Sequence, residues 1–305
     1  MKRRVKLLVL VSTVLCSGIS CSSDRESGEE ETKTAKKTVT KVLEYAPAFG
    51  QFVNELPLYE AGDTQESMRV KAEKALVKNE VITLGGFGGY VVFGFDHTID
   101  NVPDKRDVRI LGNAFANNAE PGVILVAYDK NKNGMPDEDE WFEIAGSEHH
   151  NLAVIENYRI VYYRPTKQAE ETPGEVKEYM RWKDNQGNEG WKTKNQFHQQ
   201  SYYPQWIKAD SIAYSGTLLP NNAVEVGSSE NSWQLKAFAW GYADNYPNTR
   251  EGATIDIDWA VDKAGNKVHL PGIDFIKIYT GLNQEAGWLG ETSTEVAGAI
   301  DLHLE

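Results

Sequence analysis

Cysteine is almost absent from this chain. Among 305 residues there are two, Cys16 and Cys21, both near the start. That excludes a disulfide framework for the body of the protein. The six histidines (His97, His149, His150, His198, His269 and His303) are scattered, and no spacing among them suits zinc. No nucleophile elbow, cysteine nucleophile or lysine-bearing phosphate loop occurs. Carboxylates are too plentiful for any pair to mark a glycosidase, so the chain is not expected to be an enzyme. Positive charge is also scarce. Lys and Arg total 32 against 45 Asp and Glu, a formal net charge of −13. Such a field disfavours nucleic acid and anionic membranes and suits cations. The apolar run Leu7 to Val14 is too short to span a bilayer. No fixed-period repeat appears, which argues against a propeller or solenoid.

Against these absences stands one oxygen-rich run, Asp-Lys-Asn-Lys-Asn-Gly-Met-Pro-Asp-Glu-Asp-Glu at 129–140. Asp129, Asn131, Asn133, Asp137 and Glu140 occupy positions 1, 3, 5, 9 and 12 of a twelve-residue calcium loop. Gly134 stands at the sharp turn, and Met135 offers its backbone carbonyl. Pro136 is unusual in such a loop. The flanks, Val123–Tyr128 and Trp141–Ile144, are rich in β-branched and aromatic residues and predict strands rather than the helices of an EF-hand. The expectation is a calcium-clipped β-hairpin, with a solvated acidic turn as the alternative.

The first residues read as a leader: basic from Met1 to Lys6, then apolar. Gly18-Ile19-Ser20-Cys21 resembles a bacterial lipobox, whose cysteine is acylated and becomes the new N-terminus. A lipoprotein signal over 1–20 and lipidation at Cys21 are expected, with an ordinary secretory signal as the alternative. Cleavage removes four positive charges (Lys2, Arg3, Arg4 and Lys6) and no acid, taking −13 to −17. Residues 21–39 are polar and predict a disordered acidic tether. An acidic stretch directly after the lipid cysteine resembles the surface-export signal of Bacteroidetes-type lipoproteins. It implies the outer face of the outer membrane, with acyl chains as the anchor. A plain periplasmic spacer is the other reading.

Residues 40–305 predict a single antiparallel β-sandwich or jelly roll with one short N-terminal helix. Asp63 and Glu66 suggest the helix cap, and Met68, Ala72 and Leu76 share a face. Strands are expected at Val81–Leu84, Tyr90–Phe95, Arg109–Leu111, Tyr158–Tyr163, Ser232–Trp240, Thr254–Val261 and Phe275–Tyr279. Gly85–Gly89 reads as a tight turn. The acids Asp96, Glu120, Asp256 and Asp258 adjoin predicted strands. Asp256 and Asp258 alternate, so on a strand both face one way, either toward a metal or toward solvent.

Aromatic residues crowd 180–206 among Asn, Gln and Gly: Trp182, Trp191, Tyr202, Tyr203 and Trp206. Trp240, Tyr242 and Tyr246 form a second group with Asp244 and Asn245. Rings beside amides suit a sugar or a large planar ligand, the ring giving apolar area and the amides fixing orientation. Inward-facing core is the alternative.

Several blocks taken together resemble a known group: Leu84 to His97 (LGGFGGYVVFGFDH), Gly112 to Phe115, Glu120 to Val123, Trp141 to Ser147, Gln200 to Trp206, Trp240 to Asn245 and Gly287 to Glu295. They are similar to cell-surface lipoproteins of gut Bacteroidetes, some labelled as PKD-domain-containing. The resemblance implies partnership with TonB-dependent outer-membrane transporters, often for corrinoid (vitamin B12) uptake. It implies a cobalamin-binding accessory role but carries over no ligand contacts; were a corrinoid bound, His149 or His198 is a candidate imidazole for its cobalt. A glycan is the alternative ligand, and a calcium-dependent carbohydrate-active enzyme the alternative class.

Overall fold

Runs of Val, Ile, Phe and Tyr separated by Gly- and Asn-rich turns fold here into antiparallel sheets. The computed structural model describes residues 34–227 and 232–305. The expected leader, Cys21 and most of the expected tether lie outside the described residues. Contacts divide the chain after Thr34, and Ala35–Glu305 forms one unit.

Its strands are β1 (Lys41–Ala46), β2 (Ile82–Thr83), β3 (Tyr90–Asp100), β4 (Val108–Leu111), β5 (Gly122–Ala127) and β6 (Trp141–Ile144). Then come β7 (Ile155–Tyr163), β8 (Val176–Asp184), β9 (Glu189–Lys194), β10 (Ser211–Leu218), β11 (Ala223–Glu225) and β12 (Trp233–Leu235). The last are β13 (Thr254–Ile255), β14 (Ala260–Val261), β15 (Gly272–Thr280), β16 (Glu295–Val296) and β17 (Gly298–Asp301). A six-stranded sheet, β1-β3-β15-β5-β6-β14, forms the middle. A four-stranded sheet, β10-β7-β8-β9, and a three-stranded one, β13-β4-β17, accompany it, with two small pairs, β11-β12 and β16-β2.

Successive strand residues face opposite sides. Val91, Phe93, Ile124, Val126, Ile276 and Ile278 face a core shared with Val108, Ile110 and helix α1 (Gln65–Val77). Tyr90, Val123, Leu125 and Tyr279 face an aromatic core with Tyr158, Ile160 and Tyr162. The central strands are covered on both sides, so their sequences run nearly unbroken in apolar residues. Each such side chain, fully buried, stabilises the fold by about 1.5–3 kcal/mol. The fold is the expected mainly β, sandwich-like class.

Three details differ from expectation. The α1 cap is Thr64, whose hydroxyl accepts the Ser67 N–H at 3.2 Å, while the Ser67 hydroxyl accepts the Thr64 N–H at 2.8 Å. Asp63 instead holds Lys71 at 2.6 Å, and Glu66 pairs with Arg69. The strand expected over Thr254–Val261 is broken, because Asp256 accepts the Asp258 N–H at 2.9 Å and caps a short 3-10 turn. This local bond competes with the sheet ladder. Residues 176–194 form the β8–β9 hairpin. Its amide-rich turn is held by Asp184, which accepts N–H bonds from Gln186 and Asn188 at 2.9 and 2.7 Å.

The end of the expected tether is docked. The Lys36 N–H donates to Asp96 at 3.0 Å, Thr38 bridges to Ile300, and Val39 is buried. Beside it His97 lies between two carboxylates, Nδ1 at 3.1 Å from Asp96 and Nε2 at 2.9 Å from Asp301. Partial burial lowers the imidazole pKa, but bonds to Asp301 and Asp96 outweigh this and raise it. A raised histidine stabilises the fold fully below its unfolded value of about 6.5, and that contribution is lost as pH rises through the folded value. His97→Gln is therefore expected to destabilise the protein most near about pH 5.5 and least near about pH 9. Urea midpoints across that range test this, and a pH-independent difference would overturn it.

Candidate calcium loop and aromatic pocket

The run 129–140 joins β5 and β6, which pair antiparallel from Leu125–Glu143 to Ala127–Trp141. The loop therefore closes a hairpin, with strands on both sides. Its fold follows from its own polar side chains. Asp129 accepts the Asn133 N–H through Oδ1 at 3.0 Å and the Gly134 N–H through Oδ2 at 2.8 Å. Asn131 Oδ1 accepts the Asn133 N–H at 2.9 Å, and Asn133 Oδ1 the Met135 N–H at 2.7 Å. Lys132 and Gly134 take left-handed backbone, with φ of 58° and 81°. A Cβ at Gly134 would meet nothing, so glycine is needed there for its backbone freedom alone. The asparagine amides of 131 and 133 donate to Asp137 at 2.5 and 3.1 Å. Glu140, buried, folds back to accept the Lys130 N–H at 2.8 Å and the Asp137 N–H at 3.0 Å. Met135 points its side chain outward, leaving its carbonyl as the donor it can offer. Three carboxylates and two amides form an all-oxygen set, which suits a hard cation such as calcium.

The loop is connected to a surface. Beyond β6 the Ala145 N–H donates to the Trp259 carbonyl at 2.9 Å, and the Ser147 N–H to the Trp240 carbonyl at 3.0 Å. The two indoles lie 4.5 Å apart between ring centroids. The Arg106 guanidinium sits 4.2 Å over the Trp259 ring and pairs with Asp256 at 3.1 Å. Arg106, Trp240 and Trp259 line an open pocket of about 780 Å³, with Phe115, Asn117, Tyr246 and Arg250 around them. Gly241 permits the arrangement, since a Cβ there would lie 2.5 Å from the Gly146 Cα.

The structure separates the seven aromatic residues proposed for a ligand. Tyr202 and Tyr203 are 1% exposed, and Trp206 and Tyr242 are also buried. All four are core residues, which corrects the expectation of a ligand surface. Their polar atoms are bonded internally. The Tyr203 hydroxyl donates to Ala209 at 2.8 Å, the Trp206 indole to Gln65 at 3.0 Å, and the Tyr242 hydroxyl accepts the Glu148 N–H at 3.1 Å. Trp182 lies opposite Gly190 and packs on the aromatic core. Trp191 is exposed on β9, away from the pocket lining. Trp240, 38% exposed, is the one of the seven that lines the pocket. Arg106 and Trp259 were not singled out from the sequence, whereas Tyr246, grouped there with Trp240, lines the same pocket. Trp259 lay within a segment that predicts a strand, where a ring normally reads as core.

The two histidines lie elsewhere. His198 packs edge-on against Phe52 at 4.7 Å. His149 lines a second cavity, of about 660 Å³, together with Glu143, Lys277 and Tyr279. Burial there lowers the His149 and Lys277 pKa values and raises that of Glu143. Neither histidine belongs to the Trp240 pocket. Of the acids beside predicted strands, Asp96 holds His97, Asp256 holds Arg106, and Asp258 accepts bonds from Asn101 at 2.9 Å and lies 3.2 Å from His269.

A cation held only by the folded loop stabilises the protein by mass action, about 2.7 kcal/mol at a hundredfold excess over Kd. For a domain of this size, chelation is then expected to lower Tm by about 5–10 °C. Asp129→Ala is expected to do the same and to abolish the response to chelator. Coincident melting curves with and without chelator would remove the cation from this loop. No family model matches the chain, and no curated protein matches its sequence.

Proposed function

We propose that this chain is a lipid-anchored surface protein that captures a ring-bearing nutrient and passes it to a TonB-dependent outer-membrane transporter. The observation that carries the capture reading is the Trp240–Trp259 pocket with Arg106 over its indole. The exposed Trp240 indole and the half-buried Trp259 indole give apolar area, and Asn117, Arg250 and Glu251 at the same lining give donors and acceptors that set orientation. A corrinoid fits this chemistry, since its macrocycle can lie against the rings while its peripheral amides meet the polar rim. The resemblance of the sequence blocks favours that ligand. A glycan is the alternative, because sugar C–H faces also stack on indoles.

Binding without chemical change is favoured by the lining. Its single carboxylate, Glu251, leaves no acid–base pair there for glycoside hydrolysis. Calcium in the 129–140 loop would act behind the pocket. It would fix the start of β6, whose continuation bonds to both tryptophan carbonyls, so the floor is ordered before the ligand arrives. No helix among the described residues is long and apolar enough to cross a membrane. Anchoring in this reading comes from acyl chains on Cys21.

Calorimetric titration with cyanocobalamin is expected to give saturable heat, and Trp240→Ala to weaken binding about thirtyfold, a loss of about 2 kcal/mol. A flat trace would remove the corrinoid, and a glycan-array signal would then move the assignment to sugars. Silence in both assays would remove the capture reading. Reducing-sugar release that dies on mutating one carboxylate would replace it with an enzyme.

A further inference from the structure

Strand β10 lies at one edge of the four-stranded sheet and pairs only with β7. The Arg164 N–H donates to the Asp210 carbonyl at 2.8 Å, and this bond fixes the parity of the ladder. Ile212, Tyr214 and Gly216 turn their amides and carbonyls toward β7, and Ala213, Ser215 and Thr217 turn theirs away. Thr217 agrees with that parity. Its N–H donates to the Tyr279 hydroxyl at 2.7 Å and its hydroxyl to Glu143 at 2.7 Å, so the central sheet closes the edge there. Among the described residues no hydrogen bond occupies the N–H or C=O of Ala213 or Ser215.

The composition of this edge is a second observation. Exposed edge strands are normally blunted by charge or by proline. Of the other long edge strands, β1 carries Lys41 and Glu44, and β9 carries Glu189, Lys192 and Lys194. β10 reads Ser-Ile-Ala-Tyr-Ser-Gly-Thr-Leu, with no charge and no proline, and its open positions bear small, exposed side chains. Nothing in its sequence guards it against pairing with another chain.

The edge also opens on a cavity. Ala213 and Ser215 line the space of about 660 Å³ that His149 shares. On its floor Lys277, Leu125 and Glu143 stand in one row of the central sheet. Glu143 is engaged by Thr217. The half-buried Lys277 holds its Nζ 4.1 Å over the Tyr90 ring on β3, the side away from Glu143. No ion pair among the described residues includes Lys277. Glu44, whose charge reaches it, accepts the Tyr90 hydroxyl at 2.6 Å. The other charges of the lining, Glu156 and Asp262 against Arg159 and Lys263, balance. An ammonium without an ion-pair partner beside open strand amides is complementary to a peptide bearing a carboxylate. The main chain of such a peptide extends the ladder, and charge-assisted hydrogen bonds hold its acid.

We propose that β10 is a docking edge for an extended segment of a partner polypeptide. The segment adds a strand through Ala213 and Ser215 and sets a carboxylate, from an acidic side chain or a free C-terminus, on Lys277. This cavity and the Trp240 pocket share no lining residue, so partner and captured ligand can be held at once.

The test is selection of short random displayed peptides on immobilised full-length protein, followed by titration of those enriched. The enriched peptides are expected to share a carboxylate, and Lys277→Met to weaken their binding about tenfold. Ser215→Pro removes an N–H that bonds nothing in the free protein, at an edge position where proline is tolerated. It is expected to weaken binding about thirtyfold, and Trp240→Ala to leave it unchanged. Should Ser215→Pro fail to fold, hydrogen exchange of the wild type decides, because bound peptide is expected to slow the Ala213 and Ser215 amides. Absence of enriched peptides would overturn the docking edge, as would peptides that bind without protecting those amides. Binding that depends on Lys277 but ignores Ser215→Pro would also overturn it and make the cavity a small-anion site.

Discussion

A carboxylate moved out of water must find positive charge, a proton or several donors. This acidic chain meets that demand at Asp244 in a way that orders its surroundings. The side chain gathers amides from Asn113, Ala114 and Glu295, and the Asp244 backbone carbonyl accepts the Glu120 N–H at 2.9 Å. The residue itself has φ of 49°, a left-handed conformation that aspartate tolerates better than most. Gly112 allows the approach, since a Cβ there would fall 2.4 Å from the Asp244 carboxylate. One side chain thus fixes where the 112–122 segment, the Trp240–Asn245 turn and β16 stand relative to one another. Trp240 is displayed from that turn, so the geometry of the pocket depends on satisfying a buried acid.

The second support of the pocket is the central sheet. β5 lies between β15 and β6, and β6 between β5 and β14, so the hairpin carrying the 129–140 loop is held on both flanks. Glu143, at the middle of that hairpin, registers with Leu125 on one side and Val261 on the other. The backbone leaves β6 in a fixed direction and reaches the carbonyls of Trp259 and Trp240 within three residues of Ile144. Rigidity at the loop is therefore transmitted by strand pairing and two hydrogen bonds, without any moving part.

These connections explain which parts of the molecule could be read in advance. The 129–140 loop was legible as a hairpin connection because strand-forming flanks bracket one polar run of twelve residues. The central strands were legible because burial on both faces leaves unbroken apolar runs. The role of each aromatic was not, since Tyr202 and Trp240 sit in similar sequence surroundings, and only the packing of other elements decides which ring is covered. Asparagine and glutamine density at 184–200 resembled a ligand rim, yet Asp184 and Asn188 close the β8–β9 turn and Asn195 bonds Gln51 in the interior at 2.6 Å. The segment 254–261 alternated like a strand until the Asp256 side chain took the Asp258 amide. The meeting of Glu120, Asp244 and Glu295 had no local signature at all, because more than a hundred residues separate the first from the second and about fifty the second from the third.

The kind of response a cation can have here is limited by the same architecture. A helical calcium sensor works because two helices rotate when the last glutamate engages the ion. In this chain both flanks of the loop are strands bonded within a six-stranded sheet, and rotating either would break a ladder. The oxygens of Asp129 and Glu140 already hold loop amides in place, so the loop is closed by its own backbone. Ion binding to such a loop adds free energy to one conformation and has no second conformation to select. A ligand with no difference in affinity between two populated states shifts nothing between them. Calcium at 129–140 would therefore register as stability and order rather than as a signal. That is the property the proposed capture role would require, since a binding floor would have to be in place before its ligand arrives.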